Sequence, residues 1–108
     1  MPFEIELVRG AKEDLKRLRK TEQVKILDRI EKRLSQDPTR QSRSRIKRLG
    51  GAVFPPFRLR VDEFRVYYDV DEAERRVVIY GVIRKTDSEA WLARSTSRRR
   101  KHENRSAE

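Results

Sequence analysis

Apolar and polar residues alternate at the start of the chain and then change period. Residues 3–7 (FEIEL) alternate with the two-residue period of a strand that has one buried face. Two apolar stripes at helical spacing follow. Their members are Val8, Ala11, Leu15 and Leu18 in the first, and Val24, Leu27, Ile30 and Leu34 in the second. The opposite face of the first helix is polar and includes Lys12, Glu13, Asp14, Lys16 and Arg17. With Thr21 as an N-cap and Asp37–Pro38 as a stop, the pattern predicts a strand and then an antiparallel helical hairpin.

The second half of the chain returns to the period of strands. Residues 39–56 have no clear period and contain Gly50–Gly51 and Pro55–Pro56, which predicts a loop. Residues 57–61 and 64–70 alternate, and Asp62–Glu63 between them predicts a tight turn. Residues 77–83 (VVIYGVI) are continuously apolar, as is typical of a central strand covered on both faces. Asp87–Ser88 is expected to cap a short last helix over Glu89–Arg94.

These elements predict an α+β fold with the order β-α-α-β-β-β-α. Strands joined by short turns pair antiparallel, so we expect an antiparallel sheet with the N-terminal helical hairpin packed on one face. We expect residues 1–94 to form a single domain. Residues 95–108 are basic and poor in apolar side chains, which predicts a disordered tail.

Composition excludes several classes of protein. The 108 residues contain no cysteine, which excludes disulfide scaffolds, thiolate catalysis and cysteine-based zinc sites. The one histidine, His102, lies in the polar tail, so histidine-pair catalysis and a histidine metal site are not expected. No apolar run reaches the roughly 18 residues of a membrane span, and no signal-peptide pattern opens the chain. We therefore expect a cytoplasmic protein without a metal, a cofactor or a membrane contact.

The positive charge is large and unevenly placed. Lys and Arg number 28 against 18 Asp and Glu, which gives a net charge of +10. Residues 40–48 carry five positive charges and no acid, and residues 94–108 carry six positive charges and two acids. Such a balance predicts an anionic partner, with nucleic acid the leading one.

Strand alternation sorts part of this charge onto one face of the sheet. Arg58 and Arg60 share a face of their strand, and Arg65 and Tyr67 share a face of the next. If the two strands pair through the predicted turn, these side chains meet on the face away from the helices. Close like charges repel by about 1 kcal/mol per exposed pair at high dielectric. Protection of strand edges is one explanation, but two adjacent strands followed by Arg84–Lys85 favour an anion site.

At this point the sequence resembles a known family of toxins. The segment FRLRVDEFRVYYDVDEAERRVVIYGVIRKTDSEAW, residues 57–91, is similar to the C-terminal half of the RelE/ParE superfamily of bacterial and archaeal toxins. The N-terminal strand, the helical hairpin and the basic loop RIKRLGG also match. The resemblance therefore covers residues 1 to about 93 and implies a toxin of a type II toxin–antitoxin system.

The RelE branch of the superfamily implies a ribosome-dependent endoribonuclease that cuts mRNA without a metal. In that reaction a ribose 2′-hydroxyl attacks the adjacent phosphate and displaces the 5′-oxygen of the next nucleotide. By resemblance, Arg65 is the phosphate-binding arginine, Arg58 a further basic site residue and Lys85 the C-terminal basic catalytic residue. Trp91 stands where nuclease members usually have tyrosine, and an indole N–H cannot accept a proton. Tyr67, Tyr80 or a Lys85 of lowered pKa is left as the proton acceptor; the alternative is a site that has lost cleavage. Strand alternation predicts that Tyr67 and Tyr80 are more open, whereas Tyr68 lies on the same face as Val66 and Val70 and is expected in the core.

Further basic and aromatic residues are assigned to RNA contact: Arg60, Arg84, Trp91, Arg45, Lys47 and Arg48. The expected partners are a cognate acidic antitoxin, the ribosome and mRNA, and the toxin is expected to be monomeric apart from its antitoxin complex. Two alternatives remain. A ParE-like toxin would inhibit DNA gyrase without cutting RNA, and a plain RNA-binding module would use residues 40–48 and the tail.

Overall fold

The computed structural model describes residues 2–43 and 45–107, with side chains as far as Lys101. It contains three helices and five strands within those ranges. In chain order they are β1 (Glu4–Leu7), α1 (Arg9–Lys16), α2 (Lys20–Leu34), β2 (Ile46–Arg48), β3 (Phe57–Val61), β4 (Phe64–Asp71), β5 (Arg76–Arg84) and α3 (Lys85–Ala107). The predicted α+β class is confirmed, and no helix in the described part of the chain is long and apolar enough to cross a membrane.

The five strands form one mixed sheet in the order β1-β5-β4-β3-β2. β3, β4 and β5 form the expected antiparallel meander, and Asp62–Glu63 makes the predicted turn between β3 and β4. The prediction of a wholly antiparallel sheet is wrong, because β1 pairs with β5 in parallel. β5 is apolar on both faces and offers one edge to β4, so its other edge accepts the N-terminal strand.

A three-residue strand, β2, lies inside the stretch predicted to be a loop. It pairs antiparallel with β3, and Ile46 is its buried member. A strand this short does not show two-residue periodicity in the sequence, which is why the pattern missed it. β2 adds an outer strand to the sheet on the side away from β1.

The helical hairpin covers one face of the sheet and encloses the core. Ala11 and Leu15 of α1 are buried, as predicted, together with Ile30 and Leu34 of α2. The predicted stripe of α2 is wrong in its first half, since Val24 is 58% and Leu27 42% exposed. The core instead takes Ile26, which shares a face with Ile30 and Leu34 at four-residue spacing. α2 also begins earlier than predicted, with Arg19 rather than Thr21 at the N-cap.

Tyr68 fixes the loop after α2 to the core. It is fully buried and stacks on Phe57 with ring centroids 5.5 Å apart. Its hydroxyl donates a hydrogen bond of 2.6 Å to the carbonyl oxygen of Pro38, and burial raises its pKa strongly. The assignment of Tyr68 to the core, made from its position between Val66 and Val70, is confirmed.

Removing this hydroxyl is expected to destabilise the fold. Tyr68→Phe leaves the Pro38 carbonyl without its partner and should lower the free energy of unfolding by about 1–2 kcal/mol. Tyr80→Phe is the matched control, because the Tyr80 side chain is only partly buried; its effect should stay within about 0.5 kcal/mol. Urea unfolding followed by circular dichroism measures both. Equal effects of the two changes would contradict this role for Tyr68.

The last helix is longer than predicted and covers the other face of the sheet. Instead of spanning Glu89–Arg94, α3 begins at Lys85 and continues to Ala107. Thr96 is only 8% exposed, donates a hydrogen bond to the Leu92 carbonyl (2.8 Å) and accepts one from the Phe54 N–H (3.1 Å). The start of the predicted disordered tail is therefore helical and packed. The side chains of residues 102–108 lie outside the described residues.

Candidate functional site

Strand pairing brings the predicted arginines together. Arg60 lies directly opposite Arg65, and Arg58 lies opposite Tyr67, all on the face of the sheet away from the α1–α2 hairpin. We call Arg58, Arg60 and Arg65 the arginine face. Strand alternation predicted this arrangement, because Leu59 and Val66 occupy the core side of the same two strands.

Arg65 is held rigidly within this face. It is 6% exposed, and its Nη1 donates hydrogen bonds of 3.0 Å to the carbonyl oxygens of both Asp62 and Phe64. Asp62 has φ of 52°, the left-handed conformation of a tight turn. Burial lowers the pKa of Arg65, and the charges of Arg58 and Arg60 lower it further. These hydrogen bonds fix the guanidinium group before any ligand binds.

Arg58 has an unsatisfied donor. Its Nε is buried and has no hydrogen-bond partner within the described residues. A buried donor without a partner costs about 1–3 kcal/mol, and a bound water or ion removes such a cost where it reaches the donor. The ligand favoured here is an anion, since Arg60 and Arg65 stand beside Arg58.

α3 covers the tyrosine of this face. Tyr67 is 2% exposed and stacks on Trp91 of α3, with ring centroids 5.0 Å apart and an angle of 23° between the rings. Gly81 leaves space for the indole, because a Cβ atom there would lie 2.4 Å from Trp91 Cζ2. The expectation that Tyr67 is open is therefore wrong. α3 must move before the Tyr67 hydroxyl can reach a substrate.

Tyr80 occupies a break in the pairing of β4 with β5. Tyr67 pairs with Gly81 and Tyr68 with Ile79, which leaves Tyr80 as an extra residue of a β-bulge. Its ring makes an edge contact with Phe54, at 5.0 Å between centroids. Burial raises its pKa, and the charge of Asp69 adds to this shift. Tyr80 is thus less suited to accept a proton than an exposed tyrosine.

Not all of the basic residues assigned to RNA contact lie on the arginine face. The Arg48 guanidinium stands 5.3 Å from the Phe57 ring centroid, and that of Arg84 stands 4.9 Å from the Phe64 centroid. Both rings belong to the core side of the sheet, and Arg84 also pairs with Glu63 at 3.2 Å. The structure therefore separates these two arginines from Arg65.

Lys85, Lys47 and Arg45 are carried by segments that adjoin the arginine face. Lys85 is exposed at the start of α3, and its backbone N–H donates to the Glu63 carbonyl (2.7 Å) at the turn that precedes β4. Lys47 lies opposite Arg58, and the Arg45 carbonyl accepts the N–H of Arg60 (2.7 Å). β2 thus extends the arginine face by one strand.

Asp14 has a role that the sequence did not reveal. The helical pattern placed it on the polar face of α1, but its Oδ2 accepts a hydrogen bond of 3.0 Å from the Val82 N–H of β5. β1 ends opposite Ile79, so this carboxylate satisfies the edge of β5 beyond that point. Burial raises the pKa of Asp14, and the hydrogen bond from Val82 partly opposes the shift.

Two substitutions separate the charge of Asp14 from its hydrogen bond. Asp14→Asn keeps an acceptor for Val82 and should retain the wild-type stability at neutral pH, whereas Asp14→Ala should cost about 1–3 kcal/mol. A raised pKa means that the folded wild type binds this proton more tightly. Its stability therefore falls as pH rises from the ordinary pKa of 3.8 through the raised value. Urea titrations across acid pH should show the free energy of unfolding of Asp14→Asn rising relative to that of wild type as pH rises. A difference between the two proteins that does not change with pH would contradict a raised pKa for Asp14.

The chemistry of the described residues is that of an anion site rather than a metal site. No group of three or more histidine, aspartate or glutamate side chains within the described ranges is placed to hold a metal ion. The arginine face offers a fixed guanidinium group at Arg65 and two more guanidinium groups beside it, and guanidinium groups suit a phosphate best. An exposed lysine, a buried tyrosine and a half-buried tryptophan flank it.

Comparison with known proteins identifies the class. Residues 5–88 match the family model described as the ParE toxin of type II toxin–antitoxin systems, parDE. No protein with a curated function matches the sequence. The fold and the match define a toxin of a type II toxin–antitoxin system. The chain belongs to the ParE toxin family.

Two solved structures share the fold. One is the toxin–antitoxin complex RelBE2 from Mycobacterium tuberculosis, with TM-score 0.62 and 23% identity, covering 78% of this chain and 99% of that one. The other is the archaeal RelE–RelB complex from Pyrococcus horikoshii OT3, with TM-score 0.63 and 18% identity, covering 78% of this chain and 96% of that one. Together with the family match over residues 5–88, these neighbours confirm the RelE/ParE resemblance drawn from the sequence.

Proposed function

We propose that this toxin is a ribosome-dependent mRNA endoribonuclease that works without a metal and inhibits translation. The observation that carries the proposal is the arginine face, where a rigid Arg65 and an unsatisfied Arg58 donor stand side by side. A phosphate undergoing attack gains negative charge, and fixed donors stabilise that charge without having to reorganise.

The proposed reaction is an intramolecular displacement at phosphorus. The 2′-oxygen of a ribose attacks the adjacent phosphate, the bond to the 5′-oxygen breaks, and a cyclic phosphate and a free 5′-hydroxyl result. Arg65, Arg58 and Arg60 neutralise the phosphoryl oxygens. Lys85 donates a proton to the leaving 5′-oxygen, and Tyr67 accepts the proton of the 2′-hydroxyl after Trp91 has moved aside.

An acidic antitoxin is the proposed partner that keeps the toxin inactive. The net charge of +10 favours a negatively charged protein. The two structural neighbours are complexes of a toxin with its antitoxin. The toxin alone is proposed to be monomeric, with mRNA and the ribosome as its other partners.

A second candidate function is inhibition of DNA gyrase without RNA cleavage. Two observations favour it: the family model is that of ParE toxins, and Tyr67 is covered by Trp91, which cannot itself accept a proton. In this case the arginines would bind a partner without taking part in catalysis.

One pair of assays separates the two functions. Purified toxin is added to ribosomes programmed with a defined mRNA, and breaks are mapped by primer extension. The same preparation is added to a gyrase supercoiling reaction. Breaks in ribosome-bound mRNA with normal supercoiling support the nuclease. Intact mRNA with blocked supercoiling overturns the nuclease in favour of the gyrase inhibitor.

A further inference from the structure

A cationic pocket at the outer edge of the sheet shares Arg58 and Arg60 with the arginine face and extends it toward β2. It has a volume of about 300 Å³ and is formed by β2, β3 and the loop before β2. We call it the β2 pocket. Five basic side chains line it: Arg43, Arg45, Lys47, Arg58 and Arg60. None of its described lining residues is acidic.

The charges of the β2 pocket are uncompensated. None of the five basic side chains forms an ion pair within the described ranges of the chain. Each close pair of like charges costs about 1 kcal/mol at high dielectric. Arg58, whose buried Nε lacks a hydrogen-bond partner in the described structure, is one of the lining residues. A bound anion would offset the repulsion among the five cations.

The loop that forms the pocket is held in place by its own hydrogen bonds. The Ser42 Oγ accepts the N–H of Ile46 at 3.2 Å, and the Gln41 Oε1 accepts the N–H of Arg48 at 3.1 Å. These contacts anchor the backbone near the exposed Arg43, Arg45 and Lys47, whereas Arg58 of β3 is half-buried. The β2 pocket is therefore formed before a ligand binds.

We propose that the β2 pocket binds a backbone phosphate of single-stranded RNA next to the phosphate held at Arg65. This inference rests on the proposed function for the identity of the polyanion. Neighbouring strands lie about 4.8 Å apart, so the β2 and β4 cations are separated by about 10 Å across β3. The RNA strand then crosses the sheet from Arg65 toward Lys47, roughly perpendicular to the β-strands.

The pocket suits RNA better than a protein segment. A protein segment that docks as an amphipathic helix buries apolar side chains in an apolar groove. The apolar residue of the β2 pocket is Ile46, which is buried in the core and unavailable. The remaining surface offers guanidinium and ammonium groups, which neutralise phosphates and make binding depend steeply on salt.

The test measures the salt dependence of RNA binding without the ribosome. The probe is a fluorescent oligouridylate of roughly 12 nucleotides. Its binding to the whole 108-residue chain is followed by fluorescence anisotropy. Each phosphate contact to single-stranded RNA contributes about 0.7 to the slope of log K against log salt. The variant Arg45→Gln/Lys47→Gln should therefore lower the magnitude of the slope by about 0.7, the value for the one phosphate held in the pocket, and Lys47→Gln alone should lower it by less.

A second double variant controls for net charge. Lys12→Gln/Lys16→Gln removes the same formal charge from exposed positions of α1 and should keep the wild-type slope. Equal loss of slope in both double variants overturns the pocket, as does an unchanged slope in Arg45→Gln/Lys47→Gln. A poly-glutamate peptide that binds as tightly as the RNA, and loses binding in the same variant, overturns the assignment to RNA.

Cleavage assays on the same proteins keep this inference apart from the proposed function. If wild type cuts ribosome-bound mRNA while Arg45→Gln/Lys47→Gln retains the full salt slope, the nuclease stands and the β2 pocket is overturned. If the slope falls as expected while no protein cuts mRNA, the pocket is supported and the nuclease is overturned.

Discussion

Arg65→Ala is expected to lower the rate of mRNA cleavage on programmed ribosomes by about 10²- to 10³-fold. That range is typical for the loss of one preorganised donor to a developing negative charge. Two hydrogen bonds to backbone carbonyls orient the Arg65 guanidinium, and burial keeps competing water away from it. The rate is measured by primer extension over a time course at saturating toxin.

Two further variants show whether orientation or charge is responsible. Arg65→Lys retains the charge but not the planar group that holds both carbonyls, so it should also cut slowly. Arg29→Ala removes an exposed arginine from α2 and should cut at the wild-type rate. Cleavage by folded Arg65→Ala as fast as by Arg29→Ala would contradict the role of Arg65.

Gly81→Ala is expected to displace Trp91 and loosen α3 from the sheet. A Cβ atom at position 81 would lie 2.4 Å from Trp91 Cζ2, too close for the indole to stay where it is. Overpacking of this kind typically costs about 1–3 kcal/mol. Trp91 is the one tryptophan of the chain, so its fluorescence reports the event directly. The emission should shift to longer wavelength as the ring leaves Tyr67 for water.

Removal of the Trp91 indole should relieve the clash that Gly81→Ala creates. In Gly81→Ala/Trp91→Ala the indole is absent, so the extra methyl group should cost less than it does in wild type, and a double-mutant cycle measures the coupling. Gly10→Ala is the matched control, because a Cβ atom there meets nothing within 4 Å and alanine favours the α1 helix. Unchanged emission in Gly81→Ala would contradict the packing of Trp91 on Gly81.

Local patterns were sufficient where one face of an element is buried by its immediate neighbours. Alternation in β3 and β4 placed Arg58, Arg60 and Arg65 on one face, and pairing through the Asp62–Glu63 turn brought them together. The helical stripe of α2 was less informative. Three- and four-residue spacings both include Ile30 and Leu34, and only packing against the sheet selects Ile26 over Val24 and Leu27.

Side chains whose environment comes from distant parts of the chain were not predictable in this way. The alternation of side chains along β4 predicts the face of the sheet on which Tyr67 lies. Its burial depends on α3, which begins 18 residues later in the chain. Asp14 was assigned to solvent because its partner, Val82, lies 68 residues away. Nothing in the local pattern of either residue carries this information.

The amino-acid sequence was enough to predict the α+β class, the antiparallel meander, the resemblance to RelE/ParE toxins and the shared face of the three arginines. Each depends on local periodicity or on an ordered set of residues within one segment. The tertiary structure alone decided that β1 runs parallel to β5, that α3 covers Tyr67, and that Arg48 and Arg84 face away from Arg65. These features arise where elements far apart in the chain meet, because only there is the competition for strand edges and sheet faces resolved.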